Sequence, residues 1–212
     1  CRIGMKEQGP VRVSLVVEHQ FRDSRIVQEI RLCRGERRLD FHTRVEWHER
    51  QVLLKAAFPV RILADSATYE VQFGALHRST HWNTSWEQEK FEVAAHRWVD
   101  LTEPGYGVSL LNDCKYGHDI KDNTMRISLL RGPENPDPTA DLGDHEFTYS
   151  FYPHPGDWVV AETVQRAAEL NTPAIAVPGR TTGAQEDALA GENSFASVEG
   201  PVILDTIKPA DD

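Results

Sequence analysis

Cysteine is scarce in this 212-residue chain. Cys1, Cys33 and Cys114 are odd in number, widely separated and free of any C-x-x-C spacing, which argues against both a disulfide framework and a structural zinc site. A reducing compartment follows, and the expected location is cytoplasmic. Basic charge is also short. Lys and Arg number 23 against 33 Asp and Glu, a net of -10, so no diffuse positive field attracts nucleic acid or anionic lipid. Long apolar runs are missing too: Leu15-Val16-Val17 and Ala56-Ala57-Phe58 fall far below the roughly 20 residues of a bilayer-spanning helix. Neither nucleic acid nor membrane is expected as a partner. The first residue is Cys1 rather than Met, with no charged-then-apolar leader before the folded pattern; the chain is expected to be a piece of a longer one.

What is present is the composition of a globular protein, 40% hydrophobic and 26% charged, well away from the range in which chains stay disordered. Hydrophobic periodicity is two almost everywhere. Val11, Val13, Leu15 and Val17 share one face of an extended segment, and Ile26, Ile30 and Leu32 share one face of the next. Leu39, Phe41, Val45 and Trp47 then alternate with Asp40, His42, Arg44 and Glu46, the pattern of a strand with one wet face and antiparallel neighbours. Further strand-like runs are Gln51 to Phe58, Thr68 to Phe73, Phe91 to Trp98, Gly107 to Leu111, Met125 to Leu130 and Glu146 to Phe151. At least nine short strands and almost no helical period predict an all-β fold, a large antiparallel β-sandwich with one short helix. Asp157 is placed to cap that helix, whose apolar positions are Val160, Ala161, Val164, Ala167, Ala168 and Leu170, and Asn171 and Pro173 stop it. Pro178 to Asn193 reads as a surface loop, and Val202 to Ile207 as a strand.

Polar and aromatic residues concentrate in two stretches. The first, Gly74 to Glu87, holds His77, Arg78, His81, Trp82, Asn83 and Trp86 without apolar alternation, and reads as a loop. Two His four apart share a face only on a helix, and no third ligand is near, so no metal site is expected here. Trp82 and Trp86 could stack on a sugar ring or pack into the fold. The second stretch runs from Leu110 to Asp119 and reads as a polar loop leaving an apolar strand end. Its Asn112, Asp113 and Lys115 offer an amide, a carboxylate and an ammonium that could fix hydroxyl groups; alternatively Asn112 or Asp113 bonds its own backbone in a turn. Cys114 reads as a buried structural thiol. Glycoside hydrolysis needs two flanking carboxyl groups, and Glu87, Glu89, Glu92, Asp100, Glu103 and Asp113 are all available without any local feature selecting a pair. No G-x-S-x-G turn supports serine chemistry.

The residues then carry a family likeness. The runs Phe73 to Trp86 and Phe91 to Leu101, then Gly105-Tyr106-Gly107-Val108, Leu110 to Gly117, Ser128-Leu129-Leu130-Arg131 and His145 to Tyr149 closely resemble the C-terminal region of glycoside hydrolase family 38 α-mannosidases. The likeness is strongest to their bacterial, vacuolar and cytosolic branch, and is dense from about position 73 to 154. It implies that residues 1–212 form the C-terminal β-sandwich of an α-mannosidase, galactose mutarotase-like in fold, partnered by the catalytic and helical domains of the same enzyme and acting on mannosides. In the family a retaining mechanism uses an aspartate nucleophile, a second carboxylate and a zinc ion, all in the catalytic domain. No catalytic residue, metal or cofactor is therefore assigned to this chain. Asn112, Asp113, Lys115 and Tyr116 are the substrate-proximal candidates the resemblance suggests, and His77, Arg78, Asn83 and Trp86 are the candidates for an interface with the catalytic domain. Ser79 stands where the family usually has proline, and Glu87 where aspartate is commoner. Two rivals remain: a free-standing carbohydrate-binding module using Trp82 and Trp86, and a mutarotase-like epimerase, which needs a paired His and carboxylate in one cleft. A docked accessory domain should also show, when alone, an apolar patch larger than the few hundred Å² usual on a monomer.

Overall fold

The computed structural model describes residues 1–176, 196–200, 202, 204 and 206–209. Two compact units are present, Cys1–Thr172 and Pro173–Asp212, and the first contains all thirteen strands and both helices seen among the described residues. In chain order these are β1 (Arg2–Gln8), β2 (Arg12–Phe21), β3 (Ser24–Cys33), β4 (Leu39–Trp47), β5 (Leu54–Pro59), β6 (Ser66–Val71), β7 (Gly74–Ser79), α1 (Ser85–Gln88), β8 (Val93–Ala94), β9 (Trp98–Glu103), β10 (Tyr106–Asn112), β11 (Gly117–Lys121), β12 (Thr124–Leu130), β13 (Gly143–Pro155) and α2 (Thr163–Asn171). A nine-stranded sheet runs β1-β2-β3-β4-β13-β10-β9-β6-β7, and a four-stranded sheet runs β5-β12-β11-β8. Every strand pair is antiparallel.

Four hairpins are closed by two-residue turns: Arg22-Asp23, Gln72-Phe73, Pro104-Gly105 and Asp122-Asn123. Each contains a residue of positive φ, namely Arg22, Phe73, Gly105 and Asp122. At Arg22 and Asp122 the positive φ falls on the first turn residue, the arrangement that matches the right-handed twist of the strands it joins; at Phe73 and Gly105 it falls on the second, the pattern of a type II turn.

The four-stranded sheet lies across one half of the larger one. Val99, Leu101, Val108 and Leu110 pack against Ile120 and Met125, while Val45, Trp47, Phe147 and Tyr149 pack against Ile127, Leu129 and Leu130, with Leu54, Ala56 and Phe58 alongside. On the opposite face of the large sheet, α2 covers Trp98, Leu111 and Tyr152 through Ala167, Val164 and Leu170.

Further along that outer face, over β1 to β4 and β13, the alternate positions are charged. Lys6 and Arg31 both donate to Glu29 Oε2, at 2.6 and 2.8 Å, Arg44 pairs with Glu146, and Arg25 with Glu18. The Arg31 hydrogen bond, opposed by burial and aided by Lys6, holds the Glu29 carboxyl at about 2, below its ordinary 4.5. A carboxyl depressed in the folded state stabilises fully above its unfolded value and loses that contribution as pH falls through the folded one, here from 4.5 down to about 2. Glu29→Gln is expected to flatten the dependence of stability on pH in that window and leave it unchanged above about pH 5. Urea unfolding at stepped pH checks this; an unaltered acid limb would mean the pair contributes nothing.

Several sequence expectations need correction. Gly74 to Glu87 is not a loop: Gly74–Ser79 is edge strand β7, and Thr84 begins helix α1 with a capping box closed by Glu87. An edge strand exposed on both faces shows no apolar alternation, which hid it. Within Phe91 to Trp98 only Val93–Ala94 pairs as a strand, and the full strand starts at Trp98. Asp157 Oδ1 accepts from the backbone N–H of Val159 and Val160, but it caps a turn. Glu162 adopts φ 54° and interrupts the chain, so α2 starts at Thr163. Of Val202 to Ile207, the described residues 202, 204, 206 and 207 are not in a strand. The expected loop from Pro178 to Asn193 lies outside the described residues.

Candidate functional site

The turn from β10 to β11 is shaped by Asn112, which is fully buried. Its Nδ2 donates to His96 O at 2.8 Å and its Oδ1 accepts from Lys115 N at 2.7 Å, while Asn171 Nδ2 donates to its carbonyl. Both ends of the amide are committed, so Asn112 holds the turn and presents nothing to a ligand. Asp113 is tied to β13 in a reciprocal pair. Its N–H donates to Thr148 O at 3.1 Å, and its Oδ2 accepts from Thr148 N at 2.8 Å. Of these bonds only the one from Lys115 N to Asn112 Oδ1 is the local-turn alternative that Asn offers in such a position; those to His96 and Thr148 reach distant segments.

Of the remaining turn residues Cys114 and Tyr116 are exposed and Lys115 is half-buried. Lys115 Nζ lies 4.5 Å from the centroid of the Phe147 ring, a cation–π contact that aims its ammonium. Tyr116 is exposed, with its ring 5.7 Å from that of His96. Cys114 is exposed rather than buried, which corrects the expectation of a buried thiol. Partial desolvation of its sulfur and the neighbouring Asp113 push the thiol up to about 11, so it is mostly protonated at neutral pH and a poor nucleophile.

The interface candidates lie on β7 and around α1. His77 Nδ1 is 3.1 Å from Thr68 Oγ1. The Arg78 guanidinium stands 4.7 Å over the Tyr69 ring and donates to Ala94 O at 3.3 Å. Asn83 is exposed just before the Thr84 cap, and Trp86 on α1 is 79% exposed. Glu87 Oε2 accepts from Thr84 N at 2.9 Å and Thr84 Oγ1 from Glu87 N at 3.3 Å, a reciprocal closure that uses the reach of a glutamate. Trp82 does not join Trp86 in an open platform, because Lys121 Nζ sits 3.9 Å from its ring centroid. His77, Arg78, Trp82, Glu87 and Asp119 instead line a small cleft of about 130 Å³.

The two groups of candidates meet through one segment. Arg78 binds Ala94 O, Ala95 N donates to Tyr116 O at 2.9 Å, and Asn112 binds His96 O. The pieces 77–78 and 112–116 are therefore stitched to the same stretch, 94–96, while Asn83 and Trp86 stand apart.

Sequence reasoning missed the densest polar cluster. Asp100, buried on β9, accepts from Ser109 Oγ at 2.8 Å, from His154 Nε2 at 2.9 Å and from Thr102 Oγ1. Ser109 Oγ, with its own proton committed to Asp100, accepts from Thr163 Oγ1 at 2.9 Å. All except Thr102 are buried, and a Cβ on Gly107 would collide with the His154 ring and the Thr102 hydroxyl. This Ser, His and Asp set is buried and lines none of the clefts found among the described residues, and both Ser109 and Asp100 approach the same imidazole nitrogen. It has the geometry of a structural clasp between α2 and the sheet, and does not supply the His and carboxylate in a cleft that an epimerase needs. Its bonded pairs lie up to 54 residues apart, so no local spacing could reveal it.

Residues 2–139 match the family description "Glycosyl hydrolases family 38 C-terminal domain". The chain belongs to this family. Among curated relatives, it is 48% identical to "Alpha-mannosidase 2C1" of Homo sapiens over 89% of this chain and 18% of that protein. It is 38% identical to "Alpha-mannosidase G" of Dictyostelium discoideum over 97% of this chain and 19% of that protein. Against "Alpha-mannosidase" of Saccharomyces cerevisiae the identity is 50% over 63% of this chain and 12% of that protein. The family 38 domain described here thus spans less than a fifth of the length of these relatives. In fold it is similar to a crystal structure of an α-mannosidase from Enterococcus faecalis V583, with a TM-score of 0.72, 18% identity, and coverage of 81% of this chain and 24% of that one. No helix among the described residues of the family 38 domain is long and apolar enough to cross a membrane.

Proposed function

We propose that residues 1–212 are the C-terminal β-domain of a retaining α-mannosidase, cytoplasmic in location, that removes terminal α-linked mannose from oligosaccharides. The family match over residues 2–139 carries this reading, and the identities to named α-mannosidases support it. The nucleophile, the acid/base and a zinc ion belong to the catalytic domain, which packs with a helical domain against this one. Among the described residues no group of three or more His, Cys, Asp or Glu is placed to hold a metal ion. The isolated chain is expected to be inactive. Appreciable hydrolysis of an aryl mannoside by the purified 212-residue protein would overturn the assignment.

Within that enzyme, Lys115 and Tyr116 are the groups that reach toward the mannoside, and Asn112 and Asp113 hold the turn that presents them. An ammonium held over an aromatic ring can donate to sugar hydroxyls in a fixed direction. His77, Arg78, Asn83 and Trp86 contribute to the contact with the catalytic domain. Lys115→Ala in the full-length enzyme is expected to raise KM about 10-fold, the effect of one hydrogen bond from a charged donor, with thermal stability nearly unchanged. Unaltered kinetics would remove Lys115 from the site. The 79% exposure of Trp86 favours a second reading, a free-standing carbohydrate-binding module. Titrating the isolated chain with mannose and mannobiose separates the two, since only the module predicts a saturable tryptophan fluorescence change at millimolar sugar.

A further inference from the structure

We propose that the inner face of β1, β2 and β3 seats a β-segment that pairs with the free edge of β5 and widens the four-stranded sheet, and that another part of the α-mannosidase polypeptide supplies this segment. The inference rests on the family reading and adds to it a specific surface and a specific mode of contact.

The two sheets differ in width, nine strands against four, and the mismatch falls at one end. β5 is the last strand of the small sheet, and its Phe58 lies 5.6 Å from Phe41 of β4 and 5.2 Å from Phe151 of β13, centroid to centroid. Cover therefore thins beyond β4, where Ile26 of β3 still packs against the core between the sheets. The large sheet continues for three more strands, and the register keeps most of their apolar residues on the inner face. Phe41 stands opposite Ile30, Ile30 opposite Leu15, and Leu15 opposite Met5. In neighbouring rows Leu39, Leu32 and Val13 are opposed, as are Val17 and Ile3. Exposure rises outward along this face, from 39% at Leu32 and 40% at Leu15 to 63% at Met5 and 67% at Ile3.

The other face of the same strands carries the ion pairs of Lys6 and Arg31 with Glu29 and of Arg25 with Glu18, so the sheet is not turned inside out. A sheet with a wet charged face and a naked apolar face lacks a layer. At the boundary of the gap β5 has no strand paired to its outer edge among the described residues, and an open edge is a template for pairing. Strands spaced about 4.8 Å apart would need to number roughly three to span the uncovered width. Their inward residues would alternate apolar with outward polar ones. The human relative is more than five times the aligned length, so a segment of the same polypeptide reaches the gap intramolecularly, at an effective concentration that a separate chain does not match.

Hydrogen exchange followed by mass spectrometry, on the full-length enzyme and on the isolated 212-residue chain, tests this. In the full-length protein the β5 peptide is expected to exchange about 100-fold more slowly than in the isolated chain, with Leu15→Asp on the inner face abolishing the difference and Val16→Asp on the outer face preserving it. Equal β5 exchange in the two proteins overturns the proposal. So does β5 protection in the isolated chain, which assigns the seat to a second copy if sedimentation shows a dimer, and to residues 173–212 if it shows a monomer. Mannoside hydrolysis measured on the same full-length sample keeps the two inferences separate: activity without β5 protection sinks the docking and leaves the function, and protection without activity does the reverse.

Discussion

Asp100→Ala is expected to cost the first unit about 3–5 kcal/mol of unfolding free energy. The carboxylate is buried and is the common acceptor for Ser109, His154 and Thr102. Removing it leaves hydroxyl and imidazole donors without a partner in a site that excludes water, where each unsatisfied group costs about 1–3 kcal/mol. Through Ser109 the loss spreads to Thr163, the first residue of α2, so the helix should loosen from the sheet. Trp98 and Trp158 stack beside it with centroids 4.9 Å apart, and their fluorescence gives a local readout. Asp100→Asn keeps the shape and one acceptor oxygen and should lose less. Urea unfolding of the three proteins checks the order. A loss below about 1 kcal/mol for Asp100→Ala, or an unchanged tryptophan signal, would show that the cluster is not a clasp.

Phe58→Ala is expected to cost about 3–5 kcal/mol as well, for a different reason. Phe58 is the aromatic that the small sheet sends into the large one, meeting Phe41, Tyr149 and Phe151 at centroid distances of 5.6, 6.2 and 5.2 Å. Truncation removes these ring contacts, worth about 0.5–1.5 kcal/mol each beyond area burial, and opens a void that β4, β13 and β5 cannot close without breaking their ladders. Phe58→Leu fills much of the volume and should cost well under half as much. Equal losses for the two variants in thermal or urea unfolding would mean that the void, and not the ring geometry, is irrelevant to how the layers adhere.

Much of the fold could be read along the chain because alternation is local: residues 39 to 47 and 147 to 151 announce a strand with one dry face, and the structure has β4 and β13 there. The misreadings share a cause. β7 is an edge strand, β8 is two residues long, and β11 buries His118 and Asp119 where a hydrophobic pattern would lead one to look for aliphatics. At the candidate site the residue types at 112–116 were legible, but not that Asn112 is buried holding the turn and that Lys115 lays its ammonium over Phe147. That division depends on His96, from the connection between β8 and β9, and on Phe147 of β13.

Composition, period and motif order thus fixed the all-β class, the antiparallel pairing and the family, since each depends on near neighbours or on strings of residues in order. Folding settled which carboxylate is buried, which polar groups share a proton network, and where nine strands outrun four. Those depend on which side chains meet across tens of residues, and a contact of that kind leaves no mark on the residues beside it.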